Sequence, residues 1–545
     1  MFGEQIRTNS VNSGSSIIRN SSVSSVSSVV LPAFMNFEDQ SLLRGIDVSQ
    51  VLGGKAKLFQ NSEGSASTFE LSKPVKCIDM FLSHNWSTPR STKFLALIMR
   101  FNFTPAVFAA ILMCFVVVLC CVTIEDVPVL TITTQRRGRT EILPFFGTVL
   151  PVVAFVITLR FWHDFQRCIG LKGTSCFLDK VCIHQTDPYL KQEGIMHLGA
   201  YINNSNGMTI LYSEVYIKKL WTMYELATYS LLKPSTSLAV IPSGLPLLSF
   251  SFTIFLVPVQ VMITVASLDY EFKIPGMHFI ALVVFFMGTL PLAKFSRLWA
   301  RQRQHMQLTL RDFSVSNAVC FDESDRPLVY NNIATLMRHL GHVSESASNK
   351  EALARFDELV RQTLPDVIDV LLGPAIIRYR YVVAIGMVFA GRGIDELVCD
   401  LRNGASIRVL CLTCGYWLSC NLVYVPTVAA TLYALQKRFS GLTGKVDSVY
   451  TVVAYYLPYL AIFLIDALHL SIQKAALNSD IFLAVTLSMQ ILGFAMVMFI
   501  FPENWLHKDS VVRPESCVID TDANSWGKEA ASSMSTEDSP MATEL

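Results

Sequence analysis

The side chains with types and spacing suited to chemistry fall into a soluble set and a membrane set. Ser83 and Ser213 each close an apolar run, CIDMFLSH and MTILYSE, that reads as a buried strand. Open α/β sheets bind ligands in the crevice outside the carboxyl ends of their strands, so hydroxyls at those ends are candidates for ligand contact. Asp179, in SCFLDKVCI, is a carboxylate at a strand end with two readings: a polar group of the same crevice, or a cap for the following turn. His84, Cys182 and His184 supply imidazole and thiol. Residues two apart on a strand face one side, so Cys182 and His184 can point together toward a metal or act as a Cys–His nucleophile. Neither a third ligand nor an orienting acid accompanies them, and no metal centre is expected.

The membrane set lies in apolar runs. Asp466 and His469 sit in AIFLIDALHLSI, and His278 lies near the start of another such run. An ionisable group at membrane depth is a candidate for an ion or proton path. The plainer reading is a satisfied pair near the interface, because Asp466 and His469 fall in the outer third of their helix. Cys411 and Cys414 have CxxC spacing, but they lack the soluble βαβ context of a redox pair and a second pair for zinc. They read as packing.

The elements that must position the soluble set are legible between residues 173 and 243. SCFLDKVCI reads as a buried strand. DPYLKQEGIMHLGAYINNS opens with Asp-Pro, a helix start, and places Leu190, Ile195, Leu198 and Ile202 at helical spacing. MTILYSE is the next strand. VYIKKLWTMYELATYSLL is a helix with a stripe at Ile217, Leu220, Trp221, Tyr224, Thr228 and Leu231, and SLAVIPSG is a third strand. CIDMFLSH adds a fourth from far upstream. Strands alternating with helices imply a mainly parallel sheet covered on both faces. A further amphipathic helix, KEALARFDELVRQTLPDVIDVLLG, carries Ala352, Phe356, Leu359, Val360 and Leu364 on one stripe.

Only 16% of the 545 residues are charged, against about 25% in a soluble domain. The mean hydropathy is +0.42, which points to a large membrane-embedded fraction. Apolar runs long enough to span a bilayer occupy about 104–124, 142–161, 246–267, 275–295, 406–434, 449–471 and 481–501, with a weaker eighth at 378–396. Eight spans put the basic clusters around Arg90–Arg100, Arg160–Lys172, Lys294–Arg303, Arg378–Arg380 and Lys437–Lys445 on one side. The exception is 125–141, with Arg136, Arg137 and Arg139. Both termini are then expected in the cytosol. The net charge of +1 gives no sign of nucleic-acid binding. The 13 cysteines are scattered and do not form a secreted disulfide framework.

The chain is thus expected to divide into a disordered Ser-rich region over 1–70 without the apolar core of a signal peptide, the first part of an α/β domain over 71–95, and a transmembrane hairpin over 104–161. The second part of the α/β domain follows over 170–245, then two spans over 246–295, a cytosolic helical region over 296–377, four spans over 378–501 and a disordered tail over 502–545.

The soluble pieces resemble a Toll/interleukin-1 receptor (TIR) domain. Asp79 to His84 resembles the family's first-strand D-x-F-(I/L)-S, and Phe177-Leu178-Asp179 its second-strand F-x-D. Leu190 to Ile195 with Ala200 to Ser205 resembles L-x-x-G-x-x-I…A-I-x-x-S, and Ile210-Leu211-Tyr212-Ser213 the next strand. Tyr216 with Leu220 to Leu226 resembles S-x-x-Y-x-x-S-x-W-C-x-x-E-L. The likeness covers 76–90 and 173–245. It departs at Thr222, where the family has Cys, in the loop KVCIHQTD, and in the hairpin that replaces the domain's first helix. The whole arrangement is also similar to multi-pass proteins of unicellular eukaryotes with F-L-S-H-x-W followed by F-L-D-K-x-C-I-H-Q.

The resemblance implies a TIR-like, flavodoxin-like parallel sheet joined to an all-α membrane domain of about eight helices. It implies signalling through association with further copies or other TIR-like domains. Enzymatic members cleave the nicotinamide–ribose bond of NAD with a glutamate at the position of Glu225. Glycosidic cleavage passes through an oxocarbenium-like state that a nearby carboxylate stabilises. Trp221, one turn earlier, would close the pocket wall. Ser83, Trp86, Asp179, Ser213 and Trp221 are then the residues expected to bind NAD, which is a substrate and not a resident cofactor. The competing expectation is a channel or transporter regulated by the α/β domain.

Overall fold

The run Met80–His84 is buried at all five positions, the pattern of a strand covered on both faces. It becomes the third strand, β3, of a mixed six-stranded sheet in the computed structural model, which describes residues 32–124, 131–136, 139–233, 237–266, 277–373, 378–439 and 441–501. The strands are β1 (Arg44–Asp47), β2 (Lys73–Pro74), β3 (Met80–His84), β4 (Thr131–Arg136), β5 (Arg139–Pro144), β6 (Ser175–Phe177), β7 (Gly207–Tyr212) and β8 (Ser237–Pro242). The sheet order is β2-β1-β6-β3-β7-β8, and β4 with β5 forms a separate two-stranded ribbon. The four central and right-hand strands, β6, β3, β7 and β8, run parallel. β1 and β2 close the other edge in antiparallel pairs.

β3 and β6 pair directly, Met80 with Cys176 and Phe81 with Phe177, although two long helices separate them in sequence. Those helices, Phe103–Thr123 and Phe146–Cys168, form a hairpin that leaves the sheet and returns to it. The join is tight. In the Arg90–Phe101 helix Leu97 and Ile98 are almost fully buried, and Asn102 donates to the Leu159 carbonyl at 2.9 Å and meets His163 Nδ1 at 3.0 Å.

Two expectations for the soluble part do not hold. The stretch from Ala33 to residue 70, expected to be disordered, is folded: Leu43, Ile46, Val51, Leu52 and Phe59 are buried in the core, and β1 covers the exposed edge of β6. The Ser-rich run itself lies outside the described residues. SCFLDKVCI is a strand only over Ser175–Phe177; Asp179–Cys182 is a helical turn. Apolar Val181 and Cys182 are buried from a helix turn as fully as they would be from a strand, and periodicity cannot separate the two over so short a run. The Asp-Pro reading gives the expected cap: Asp187 accepts from Tyr189 N at 2.9 Å and Leu190 N at 3.0 Å ahead of Pro188.

Among the described residues six helices are long and apolar enough to cross a membrane: Phe103–Thr123, Phe146–Cys168, Leu245–Met262, Ile407–Arg438, Gly444–Ala476 and Asp480–Ile500. The chain is a multi-pass membrane protein. About eight spans were expected, and the difference lies in two places. The 275–295 run falls partly outside the described residues, and its described part opens the helix Met277–Arg311. The 378–396 run divides at Gly386 into Tyr379–Ile385 and Met387–Arg402. The second of these is too polar to read as a span, and it buries Arg392, Asp395 and Asp400 among its neighbours.

Asp395 explains why that helix sits where it does. Its side chain is wholly buried and accepts from Gly147 N at 2.7 Å, Thr148 N at 2.8 Å and Thr148 Oγ1 at 2.7 Å. It therefore satisfies the free N–H groups at the start of Phe146–Cys168 from another helix, with its charge at the positive end of the helix dipole. The approach needs glycine on both sides. A Cβ on Gly147 would lie 2.6 Å from the Gly391 carbonyl oxygen, and one on Gly391 2.3 Å from that of Gly147.

The Asn349–Leu372 helix packs its stripe onto the sheet domain, with Ala352, Phe356, Val360 and Leu364 in the same core as β3 and β7. Ser348 caps it, accepting from Glu351 N at 3.2 Å.

Candidate functional site

Parallel strands deliver their last residues to one edge of the sheet, and at that edge β3 ends in Ser83 and His84. The chain leaves β3 toward β6 on one side, and β7 flanks it on the other, so the edge above β3 and β7 is the topological switch point. Glu225 reaches this point from the Leu220–Leu232 helix. Ser83 Oγ donates to Glu225 Oε2 at 2.5 Å and lies 2.5 Å from the Tyr216 hydroxyl. When Glu225 is ionised, Ser83 gives its proton to Oε2 and Tyr216 donates to Ser83. Tyr216 is fully buried and held by its backbone, whose carbonyl accepts from Thr222 Oγ1.

Glu225 is half-buried. Burial pushes its carboxyl up to about 8; the Ser83 hydroxyl opposes the shift and the Asp179 charge adds to it. At neutral pH the group is mainly protonated and becomes a carboxylate just above it. The same burial holds the Tyr216 phenol far above its ordinary range.

A second cluster adjoins the first. Asp179 Oδ2 accepts from the Trp86 indole N–H at 2.9 Å. Trp86 packs against His84 (4.7 Å) and Phe59 (6.0 Å), and Phe59 against His84 (5.0 Å). Lys93 is fully buried beneath them, its ammonium 4.9 Å from the Trp86 ring and 5.1 Å from the Phe59 ring, with a long 3.4 Å hydrogen bond to the Trp86 carbonyl. Burial lowers Lys93 to about 8 against the pull of Asp179, and lowers His84 to about 4, so the imidazole stays neutral. His84 Nε2 has no hydrogen-bond partner among the described residues.

Phe59 belongs to an N-terminal segment laid across this edge. Lys180 Nζ fixes the segment through the carbonyls of Leu58 (3.3 Å) and Asn61 (3.0 Å) and the Asn61 side chain (2.7 Å). Just before it, Gly54, Lys55 and Ala56 all have φ between 55° and 58°. Two residues with a Cβ held in the left-handed region cost about 1–2 kcal/mol each, and persist only where surrounding contacts impose them.

Of the residues expected to bind NAD, the structure thus brings Ser83 to Glu225 and Trp86 to Asp179. The Trp221 N–H donates to Asp325 Oδ2 at 3.1 Å. The segment around Asp325 docks there through Leu220 N to Val319 O at 3.0 Å. Ser213 Oγ is buried without a hydrogen-bond partner among the described residues. Cys182 is buried, and burial pushes its thiol up to about 12. His184 is committed to accepting from Asp187 N at 2.9 Å, so the two do not converge. Among the described residues no group of three potential metal ligands occurs. Lys93 and Phe59 were missed in the sequence. Lys93 reads there as a basic flank of the first span, and nothing in KLF marks Phe59. Tyr216 was visible only as part of the S-x-x-Y match.

In the membrane part, Asp466 and His469 do not pair with each other. Asp466 accepts from the Tyr416 hydroxyl at 3.0 and 3.1 Å, and His469 Nδ1 meets the Tyr424 hydroxyl at 2.7 Å. Asp466 lines a cavity of about 910 Å³ between the helices. The His278 side chain lies outside the described residues. Cys411 and Cys414 are free thiols. No family model, curated protein or solved structure matches this chain.

Proposed function

We propose that this chain is a membrane-anchored TIR-like signalling protein whose sheet domain takes NAD at the carboxyl end of β3 and cleaves its nicotinamide–ribose bond at Glu225. One observation carries the reading: Glu225, on a helix, meets Ser83, at the end of the first parallel strand, at 2.5 Å. The order of the parallel strands supports it. Numbered along the chain they run 2-1-3-4, as in the flavodoxin type of doubly wound sheet, whose ligands bind at that switch point. The sequence motifs of the TIR resemblance fall on the same elements.

In this reading Glu225 acts as a carboxylate. It loses its proton, accepts from a ribose hydroxyl at the oxygen Ser83 leaves free, and stabilises positive charge as nicotinamide departs and water adds to the ribosyl carbon. Ser83 and Tyr216 then orient it. The test is nicotinamide release from NAD by the full chain in nanodiscs. Activity is expected to rise with pH with a midpoint near 8, following ionisation of Glu225, and to be lost in Glu225→Gln. Absence of nicotinamide from a preparation shown by mass photometry to be assembled would remove the hydrolase and leave a scaffold acting by association.

A further inference from the structure

The membrane half holds a feature that this function does not use. The cavity of about 910 Å³ lies at the upper end of small-molecule sites, which run from roughly 300 to 1,000 Å³. Its walls come from the helices Leu245–Ala266, Met277–Arg311, Tyr379–Ile385, Met387–Arg402, Ile407–Ser419, Val425–Arg438 and Gly444–Ala476 and the turn Cys420–Tyr424. They are apolar and aromatic. Phe286 meets Tyr456 at 4.9 Å, Phe285 meets Tyr459 at 5.8 Å, and Tyr416 meets Trp417 at 5.0 Å.

Among the described residues one lining side chain is acidic or basic, and it is Asp466. The nearby carboxylate of Glu396 is already matched, by Arg392 at 3.0 Å and by the Trp417 N–H at 3.1 Å. Asp466 has no ion pair among the described residues; its recorded partner is the neutral Tyr416 hydroxyl. A single carboxylate facing a volume walled by aromatic rings is complementary to one kind of ligand. The ring faces attract a cation through their quadrupoles, and the carboxylate fixes where that charge sits. A neutral acyl chain would fill the same volume but gains nothing from Asp466.

We propose that this cavity binds a lipophilic cation: a molecule with one ammonium-type charge on an apolar or aromatic body, the charge at Asp466 and the body between the tyrosine and phenylalanine rings. The probe is tetraphenylphosphonium, measured against neutral tetraphenylsilane, with the full chain in nanodiscs of zwitterionic lipid. Saturable binding of the cation is expected, weakened at least tenfold in Asp466→Asn, while retention of the silane is the same in both proteins. Equal binding of the cation to wild type and Asp466→Asn would overturn the proposal, as would equal saturable binding of silane and cation, which would mark a lipid-filled void. Should Asp466→Asn fail to fold, the native chain still decides. Dicyclohexylcarbodiimide is expected to modify Asp466, as mapped by mass spectrometry, and tetraphenylphosphonium to protect it. Modification unchanged by the cation would again reject the site.

Discussion

The sheet domain and the membrane domain treat buried polar groups in opposite ways. At the carboxyl end of the sheet, Ser83, Tyr216 and Glu225 close on one another, and Phe59 seals His84, Trp86 and Lys93. Between the membrane helices, Asp466 faces a large open volume with one neutral partner. The difference teaches where each half keeps its freedom. The polar groups of the sheet edge are bonded to one another, whereas Asp466 keeps one face toward open volume.

The contrast can be broken at several points. The largest effect is expected at the join. Asp395→Ala leaves Gly147 N and Thr148 N unpaired inside the protein and should cost about 4 kcal/mol, read as a large drop in melting temperature in detergent. Little change would mean the second span does not depend on this cap. Next, Phe59→Ala should cost about 3 kcal/mol and open the sealed edge. Lys93, shielded in the wild type, should then react with an amine reagent at pH 8, mapped by mass spectrometry. Equal labelling in both proteins would show that the edge is not closed.

A smaller effect follows from Glu225. Between its ordinary value of 4.5 and about 8, the folded state keeps a proton that the unfolded chain has lost. Stability should therefore fall as pH rises through that window, by roughly 1–3 kcal/mol once the full-shift value of about 5 kcal/mol is reduced for solvent screening of the half-buried carboxyl. Glu225→Gln should flatten that part of the profile, and an unchanged slope would place the carboxyl in water. The smallest effect is expected at Arg303 and Asp369, 2.6 Å apart with Asp369 45% exposed. Asp369→Asn should cost less than about 1 kcal/mol, and a larger loss in chemical denaturation would mean that the pair is a structural clamp.

Much of the parallel sheet was legible because strands buried on both faces write continuous apolar runs, as DMFLSH and MTILYSE do. β1 and β2 were not. RGID mixes two buried with two half-buried residues, and Lys73–Pro74 is exposed, so neither carries a period. The 378–396 run misled for a related reason: Tyr379 to Ala390 is apolar enough to suggest a span, but the charged residues beyond it pay for their burial through partners far away in sequence, Gly147 and Thr148 for Asp395 and Thr413 for Asp400. At the site, Ser83 and Glu225 were found through strand ends and motif. Lys93 was hidden because a lysine before an apolar helix looks like a flank, and only the fold shows the aromatic box over it.

The hairpin between β3 and β6 also sets an order of events during synthesis. Met80 cannot pair with Cys176 until both intervening helices have been made. Until then β3, apolar over Met80–Leu82, has open edges, the kind of surface that recruits other chains. Pairing of β3 with β6 therefore waits on the whole hairpin, and a chain halted within it carries β3 with neither parallel neighbour in place.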